Sequence, residues 1–287
     1  MIEYKTLEDT PLDRIHSTFV EAFSDYQVEI DLPLEKLGSM LRRRGYTPKL
    51  SIGAFEGENL VGFVLNGHRS WEGQPTLYDC GTGVVPEYRQ RGITKKAFNE
   101  VVALIQKNAL QQYLLEVIKS NTPAVELYRK QGFRTTRSLS CFQIEKSNIT
   151  SSPPPDIIFE RRPIEELDWT LLKSFWDFEP SWQNSIESMT AVAESFEAVV
   201  ARAGEAILGY GIIETSSGDI PHFAVQKKYR RRGIGAGLLR SVVQHTESDQ
   251  AVLLNIDDSC TSMHSFLQTL GFEHFIDQYE MLLSRPG

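Results

Sequence analysis

A chain of 287 residues with 41% apolar side chains can bury a substantial core and, at ordinary domain sizes, fold as about two domains. Its net charge of −8 argues against a general nucleic-acid binder, which would turn a broad basic face to phosphates. Three cysteines without a CxxC pair fit neither a disulfide framework nor a zinc site, and no apolar run approaches the ~18 residues of a membrane-spanning helix. The opening MIEYKTLEDT lacks the basic-then-apolar profile of a signal peptide, so the expectation is a cytoplasmic protein that binds no metal, nucleic acid or membrane.

In chain order, a short strand at Ile2 to Leu7 precedes two segments of helical spacing, Pro11 to Phe23 and Leu34 to Arg44. KLSIGAF and NLVGFVLNG then predict a hairpin around Glu56-Gly57-Glu58-Asn59. A strand running to Val85 delivers the chain into YRQRGITKKAF, after which come an amphipathic helix from Ile93 to Gln106, the apolar strand QYLLEVI, another helix, and Gly132-Phe133. KSNITSSPPPD, at 146–156, interrupts helix and strand alike and predicts a linker.

The same order follows it. Ile157 to Arg161 predicts a strand, EAVVARAG and EAILGYGIIE a hairpin, and a strand running to Val225 enters YRRRGIGAGLLR. A helix from Ile234 to His245, the strand AVLLNID, a helix and Gly271-Phe272 complete it. The motif Tyr-Arg-x-Arg-Gly-Ile thus occurs twice, 141 residues apart, which predicts a duplicated domain with a linker at 147–156 between halves 1–146 and 157–287. Strand, loop, helix, strand implies a parallel pair crossed by a helix.

Arg89-x-x-Gly92-x-Thr94 and Arg230-x-x-Gly233-x-Gly235 fall where a strand ends and a helix begins. Backbone N–H groups lack partners there and the helix dipole favours negative charge, so main-chain donors can cradle a diphosphate. Glycine lets the loop adopt unusual dihedrals without placing a Cβ against the phosphate. Neither copy gives GxGxxG, and each occurs late in its half, which argues against a dinucleotide fingerprint.

On these motifs, together with Asn121-x-x-Ala124-x-x-x-Tyr128 followed by Gly132-Phe133, each half resembles the GCN5-related N-acetyltransferases. The resemblance implies an α/β (α+β) fold of two tandem domains, each a mixed, mostly antiparallel sheet whose parallel fourth and fifth strands splay, with flanking helices. It implies acetyl-CoA as cofactor and a primary amine of unknown identity as acceptor, attacked directly in a ternary complex. Cofactor contacts are implied at Val84, Val85, Arg89, Gln90, Arg91, Gly92, Ile93, Thr94 and Asn121, and at Ala224, Val225, Arg230, Arg231, Arg232, Gly233, Ile234 and Gly235. A backbone N–H at Val84 or Val85 is expected to be freed by a bulge and to polarise the thioester carbonyl.

The halves depart from the pattern differently. The first has Thr94 in place of Gly or Ala but keeps Tyr128, whose hydroxyl would protonate the departing thiolate. The second keeps Gly235 but has Leu267 at the tyrosine position. The N-terminal half is therefore expected to be catalytic and the C-terminal half degenerate. Asp79 is the expected base, with Asp219 as its counterpart and Glu116 in reserve. The segment FVEAFSDYQVEID, through Phe23, Asp25, Tyr26 and Glu29, suits a cationic amine with an apolar body. Its counterpart SFWDFEPSWQN either walls a site or seals the halves together. Two alternatives stand beside this: a non-catalytic acyl-CoA-binding or sensing protein, and an acyltransferase active in the C-terminal half.

Overall fold

Glycine at the tips and continuous buried runs in the arms produce the hairpins that the sequence predicts. In a computed structural model, which describes residues 1–25, 32–151 and 154–284, β2 (Ile52–Glu56) and β3 (Asn59–Trp71) turn at Gly57, whose φ is +60°. β4 (Gln74–Val84) returns through Glu72-Gly73, both left-handed. β1 (Ile2–Thr6) pairs antiparallel with β2. Between them, α1 (Leu12–Ala22) buries Ile15, Thr18, Phe19 and Ala22, one stripe of a 3.6-residue period, and α2 (Leu34–Arg44) stops at left-handed Gly45.

The motif loop leads into α3 (Ile93–Lys107), then β5 (Gln112–Ile118), α4 (Thr122–Lys130) and β6 (Arg134–Glu145). Asn121 caps α4, its side chain accepting from the Ala124 N–H at 3.3 Å, and Pro123 occupies the first turn. Gly132-Phe133 ends the helix: left-handed Gly132 donates to Arg129 O and Phe133 to Tyr128 O, both at 3.0 Å. Gly271-Phe272 closes its own helix through Gln268 O and Leu267 O in the same way. The Gly-Phe signature is thus a helix terminus.

The second series comprises β7 (Ile158–Arg162), the short α5 (Trp169–Lys173) and α6 (Ile186–Thr190), β8 (Phe196–Ala203), β9 (Ala206–Glu214) and β10 (His222–Val225). α7 (Ile234–Val243), β11 (Gln250–Asp257), α8 (Thr261–Thr269) and β12 (Glu273–Ser284) follow. No helix among the described residues is long and apolar enough to cross a membrane.

Two compact units result, and their composition does not follow the linker. One holds Met1–Val117, Asn121–Thr136 and Glu280–Gly287; the other holds Ile118–Ser120 and Arg137–Tyr279. In the first, the strands run β1-β2-β3-β4-β5 and the C-terminal end of β12 lies beside β5. In the second, β10-β9-β8-β7 form one sheet, and β6 runs between β12 and β11. Each unit is completed by strand residues from the other half of the sequence, whereas the expected boundary put all of 1–146 on one side. Strand partnership is non-local, and hydrophobic periodicity carries no trace of it.

Close approach fixes Gly67 on β3, where an added Cβ would stand 2.1 Å from the carbonyl oxygen of Arg44. Gly67→Ala must push the end of α2 off the sheet. We expect a loss of at least about 3 kcal/mol, read as a fall of several degrees in Tm.

Candidate active sites

In the N-terminal unit, β4 and β5 pair in parallel only from Thr76 to Tyr78 and from Gln112 to Leu114. Beyond that point β4 continues to Val84 and the strands part, so Asp79 on β4 and Glu116 on β5 stand just past the fork. Asp79 Oδ1 accepts from the Gly81 N–H at 2.9 Å, and Oδ2 accepts from the Thr82 hydroxyl at 2.8 Å and from the Tyr128 hydroxyl at 3.4 Å. Two side chains 49 residues apart, each chosen from sequence for the chemistry, share a hydrogen bond.

Burial pushes the Asp79 carboxyl up to about 6, against the lowering pull of the Thr82, Gly81 and Tyr128 hydrogen bonds and of the Arg44 charge. A carboxylate at that value is ionised at neutral pH yet basic enough to take up a proton. Tyr128 is 8% exposed, and its ring is held edge-on by Phe98 and Phe133, each at 5.6 Å between centroids. Glu116 is partly buried, and its charge adds to the burial that raises the Tyr78 hydroxyl. Burial pushes the neighbouring Cys80 thiol up to about 12, so it offers no thiolate for a covalent route.

The bulge lies elsewhere than expected. Asn66 pairs with Asp79 and Leu65 with Gly81, which leaves Cys80 as the extra residue, well before Val84. The Val85 N–H is used, donating to Val61 O at 3.0 Å. By antiparallel alternation Val84, opposite Gly62, then turns its N–H to the edge that β5 has left. In the second unit Gln226 donates to Leu208 O at 2.8 Å, and Val225, opposite Gly209, is turned outward likewise.

Val84 and Val225 are equivalent, since each carbonyl accepts from the Nε–H of the first loop arginine, Arg89 at 3.2 Å and Arg230 at 2.8 Å. That register corrects the assumed counterpart of Asp79. Counting 141 residues on leads to Ile220, which is buried in the core, rather than to Asp219. Asp219 lies one residue earlier, where side chains of a strand point to the opposite face, and it forms the bridge with Val252. Leu267 is also buried in that core. The second unit therefore has apolar side chains at both positions that carry the acid and base of the first.

Both loops have the same backbone. Gln90 and Arg231 are left-handed at φ +60° and +63°, as are Gly92 and Gly233 at +73° and +76°. Such strain collects where the chain is shaped for a ligand, and neither α3 nor α7 has a side-chain cap on its first N–H groups. A Cβ on Gly92 would meet nothing within 4 Å. This cradle fits a diphosphate held by main-chain donors. Ile93 and Ile234 are buried beneath it.

The two leading arginines do a different job from the one expected. Arg89 donates to both Asp25 oxygens, at 2.6 and 2.8 Å, and to Ala22 O at 2.8 Å. Arg230 donates to Asp177 Oδ2 at 2.7 Å and to Phe175 O at 3.1 Å. These guanidiniums bracket the strand end to the segment behind the loop. Arg91 and Arg232 lie over the rings of Tyr88 and Tyr229, at 4.8 and 5.7 Å. Arg230→Ala is expected to cost about 2 kcal/mol in a thermal melt, because it strips three acceptors of a partly exposed donor.

Asp25 is thus committed to Arg89, and the Phe23 ring packs on Phe19 and Phe63. Tyr26 and Glu29 lie outside the described residues. Asn121 serves as the helix cap described above. Thr94 and Gly235 differ for a packing reason: a Cβ on Gly235 would sit 3.0 Å from the ring of Phe266, whereas the residue matching Phe266 in the first unit is Leu127.

In the second unit β10 and β11 enclose a cavity of about 500 Å³. Ala224 and Val225 line one side, Leu254, Asn255 and Ile256 the other, and Arg231, Gly233 and Gly235 the loop end. SFWDFEPSWQN supplies a wall through Phe175, Trp176 and Phe178, while Trp182 is fully buried. That segment also bridges the forked strands, for Asn184 O accepts from His222 Nε2 at 2.6 Å and Asn184 Nδ2 donates to Leu254 O at 3.0 Å. A carbonyl acceptor fixes the tautomer of His222, so its Nδ1 accepts from the Tyr210 hydroxyl at 2.9 Å, and Tyr210 in turn accepts from the Trp176 indole. None of Trp176, Tyr210 and His222 belongs to a repeated motif; only the aromatic density of that segment marks it in sequence.

A profile described as the acetyltransferase (GNAT) family matches residues 12–133, and one described as an acetyltransferase (GNAT) domain matches 173–281. A tandem GNAT protein from the clavulanic acid biosynthesis pathway aligns over 100% of both chains at 14% identity and a TM-score of 0.76. A GCN5-related N-acetyltransferase from Sphaerobacter thermophilus aligns over 100% of this chain and 96% of its own at 17% identity and a TM-score of 0.70. A glucosamine N-acetyltransferase region of a fungal multi-domain β-N-acetylglucosaminidase covers 99% of this chain with 38% of its own, at 15% identity and a TM-score of 0.75. No curated protein sequence gives a significant match.

Proposed function

We propose, for a chain that belongs to the GCN5-related N-acetyltransferase superfamily in its tandem two-domain form, that the N-terminal unit transfers an acetyl group from acetyl-CoA to a primary amine by direct attack in a ternary complex. Acyl transfer is the general chemistry of the superfamily; the half, the acyl group and the acceptor are what we add. The observation that carries the assignment is the Tyr128 hydroxyl on the Asp79 carboxylate.

A lysine-type amine, with a pKa of about 10.4, must lose a proton before or during attack. The first proton of the ammonium passes to water, and Asp79, at about 6, accepts the second as the nitrogen attacks. Tyr128 donates its own to the departing sulfur and regains one from Asp79 through their hydrogen bond. The pair thus moves that second proton from nitrogen to sulfur, and acetylation of the ammonium form releases one proton to water overall. When bound, acetyl-CoA supplies the activated acyl group and a thiolate leaving group. The N–H groups at the start of α3 would hold its diphosphate, the outward Val84 N–H would polarise the thioester carbonyl, and Glu116 stands across the fork as the second carboxylate.

The C-terminal unit, with Ile220 and Leu267 at the two working positions, has the cradle without the proton carriers. Incubation with acetyl-CoA and a panel of primary amines, read as free thiol, tests the proposal. Amine-dependent release is expected, and acetyl-CoA that is bound but never consumed with any amine would leave a sensing protein instead.

A further inference from the structure

We infer that the C-terminal cavity is a receptor for an apolar acyl group larger than acetyl, carried on CoA and held without being transferred. The inference rests on the acyl-CoA reading of the loops, and its evidence is the chemistry of the walls. Trp176, Phe178, Phe223, Met263 and Phe266 surround a space of about 500 Å³ that continues to the loop at Arg231 and Gly233. Phe223 on β10 and Phe266 on α8 stack at 5.7 Å, an apolar pair in the cavity lining.

Three polar groups of the cavity wall, His222, Tyr210 and Asp177, are already engaged. His222 gives its N–H to Asn184 O and its lone pair to Tyr210, while Asp177 is engaged by Arg230 and Lys227. A charged acyl group would find no partner among these, whereas a hydrocarbon displaces only water. Ile220 and Leu267 put apolar side chains where the first unit has its base and its acid, and the His222 and Tyr210 groups of the lining are engaged with each other. The site therefore retains its thioester, so occupancy reports the supply of apolar acyl-CoA. Asp177 joins the cavity to the loop bracket, because Trp176 and Phe178, its two chain neighbours, form the wall.

At about fourfold in affinity per buried methylene, burying two of the four extra methylenes predicts hexanoyl-CoA binding at least about tenfold tighter than acetyl-CoA. The test uses the full chain carrying Tyr128→Phe and Asp79→Asn, with CoA, acetyl-CoA and hexanoyl-CoA as probes, followed by calorimetry and tryptophan emission. Expected are that preference, an emission change abolished in Trp176→Phe, at least about tenfold weaker hexanoyl-CoA binding in Arg231→Glu, and no thiol release. Equal affinity for the two thioesters, an emission change that survives Trp176→Phe, hexanoyl-CoA binding untouched by Arg231→Glu, or thiol release from hexanoyl-CoA would each overturn the inference. Failure of the wild-type chain to release thiol from acetyl-CoA with amines bears on the proposed function alone, because none of these binding measurements depends on turnover.

Discussion

Tyr128→Phe is expected to lower kcat for amine acetylation by about 10²–10³-fold while leaving the affinity for acetyl-CoA within about threefold, since a general acid contributes in the transition state and not in ground-state binding. The ring keeps its place, because Phe98 and Phe133 hold it by edge contacts that phenylalanine reproduces. A packing role for Tyr128 predicts the opposite, an unchanged rate. The double variant with Asp79→Asn should lose little more than the worse single variant, because the two groups form one proton path and members of a unit are not additive.

Asp79→Asn is expected to separate activity from stability. Raised by burial to about 6, the protonated carboxyl stabilises the fold fully below its ordinary value near 3.8, and that contribution is lost as pH rises through 6. At pH 7 the native chain therefore carries a desolvated charge. A neutral amide removes that cost: its oxygen, in place of Oδ1, still accepts from the Gly81 N–H, and its NH2, in place of Oδ2, can donate to the Thr82 hydroxyl, which rotates to accept. The variant should gain about 1–2 kcal/mol at pH 7, a rise of a few degrees in Tm, while acyl transfer falls at least about a hundredfold. A structural aspartate would show a lower Tm instead.

The features legible in sequence were those held by local chemistry. The strand–loop–helix motif at 88–98 and 229–240, the capped helix at Asn121 and the hairpin at Gly57 follow from dihedrals, caps and periodicity within a dozen residues. Tyr128 and Asp79 were each visible alone, but their hydrogen bond joins residues 49 apart and required the fold. What local chemistry misses is register. Anchoring one count on Val85 and the other on Val225 placed Asp219 where Ile220 belongs, a one-residue slip that turns a side chain to the other face. The Cys80 bulge, the strand residues exchanged between units and the inward turn of Arg89 and Arg230 depend in the same way on partners distant in sequence. So does the cavity wall at Phe175 to Phe178, which the sequence left undecided between walling a site and joining the halves.

The central claim, that Asp79 and Tyr128 form the working proton path, is tested most directly by the pH dependence of thiol release at saturating acetyl-CoA and amine, for the native chain and Asp79→Asn. The native profile should fall tenfold per pH unit below about 6, where the carboxylate is protonated and no longer accepts a proton. In Asp79→Asn the residual rate should show no such limb near 6. The same limb in both proteins, at undiminished rate in the variant, would contradict the account.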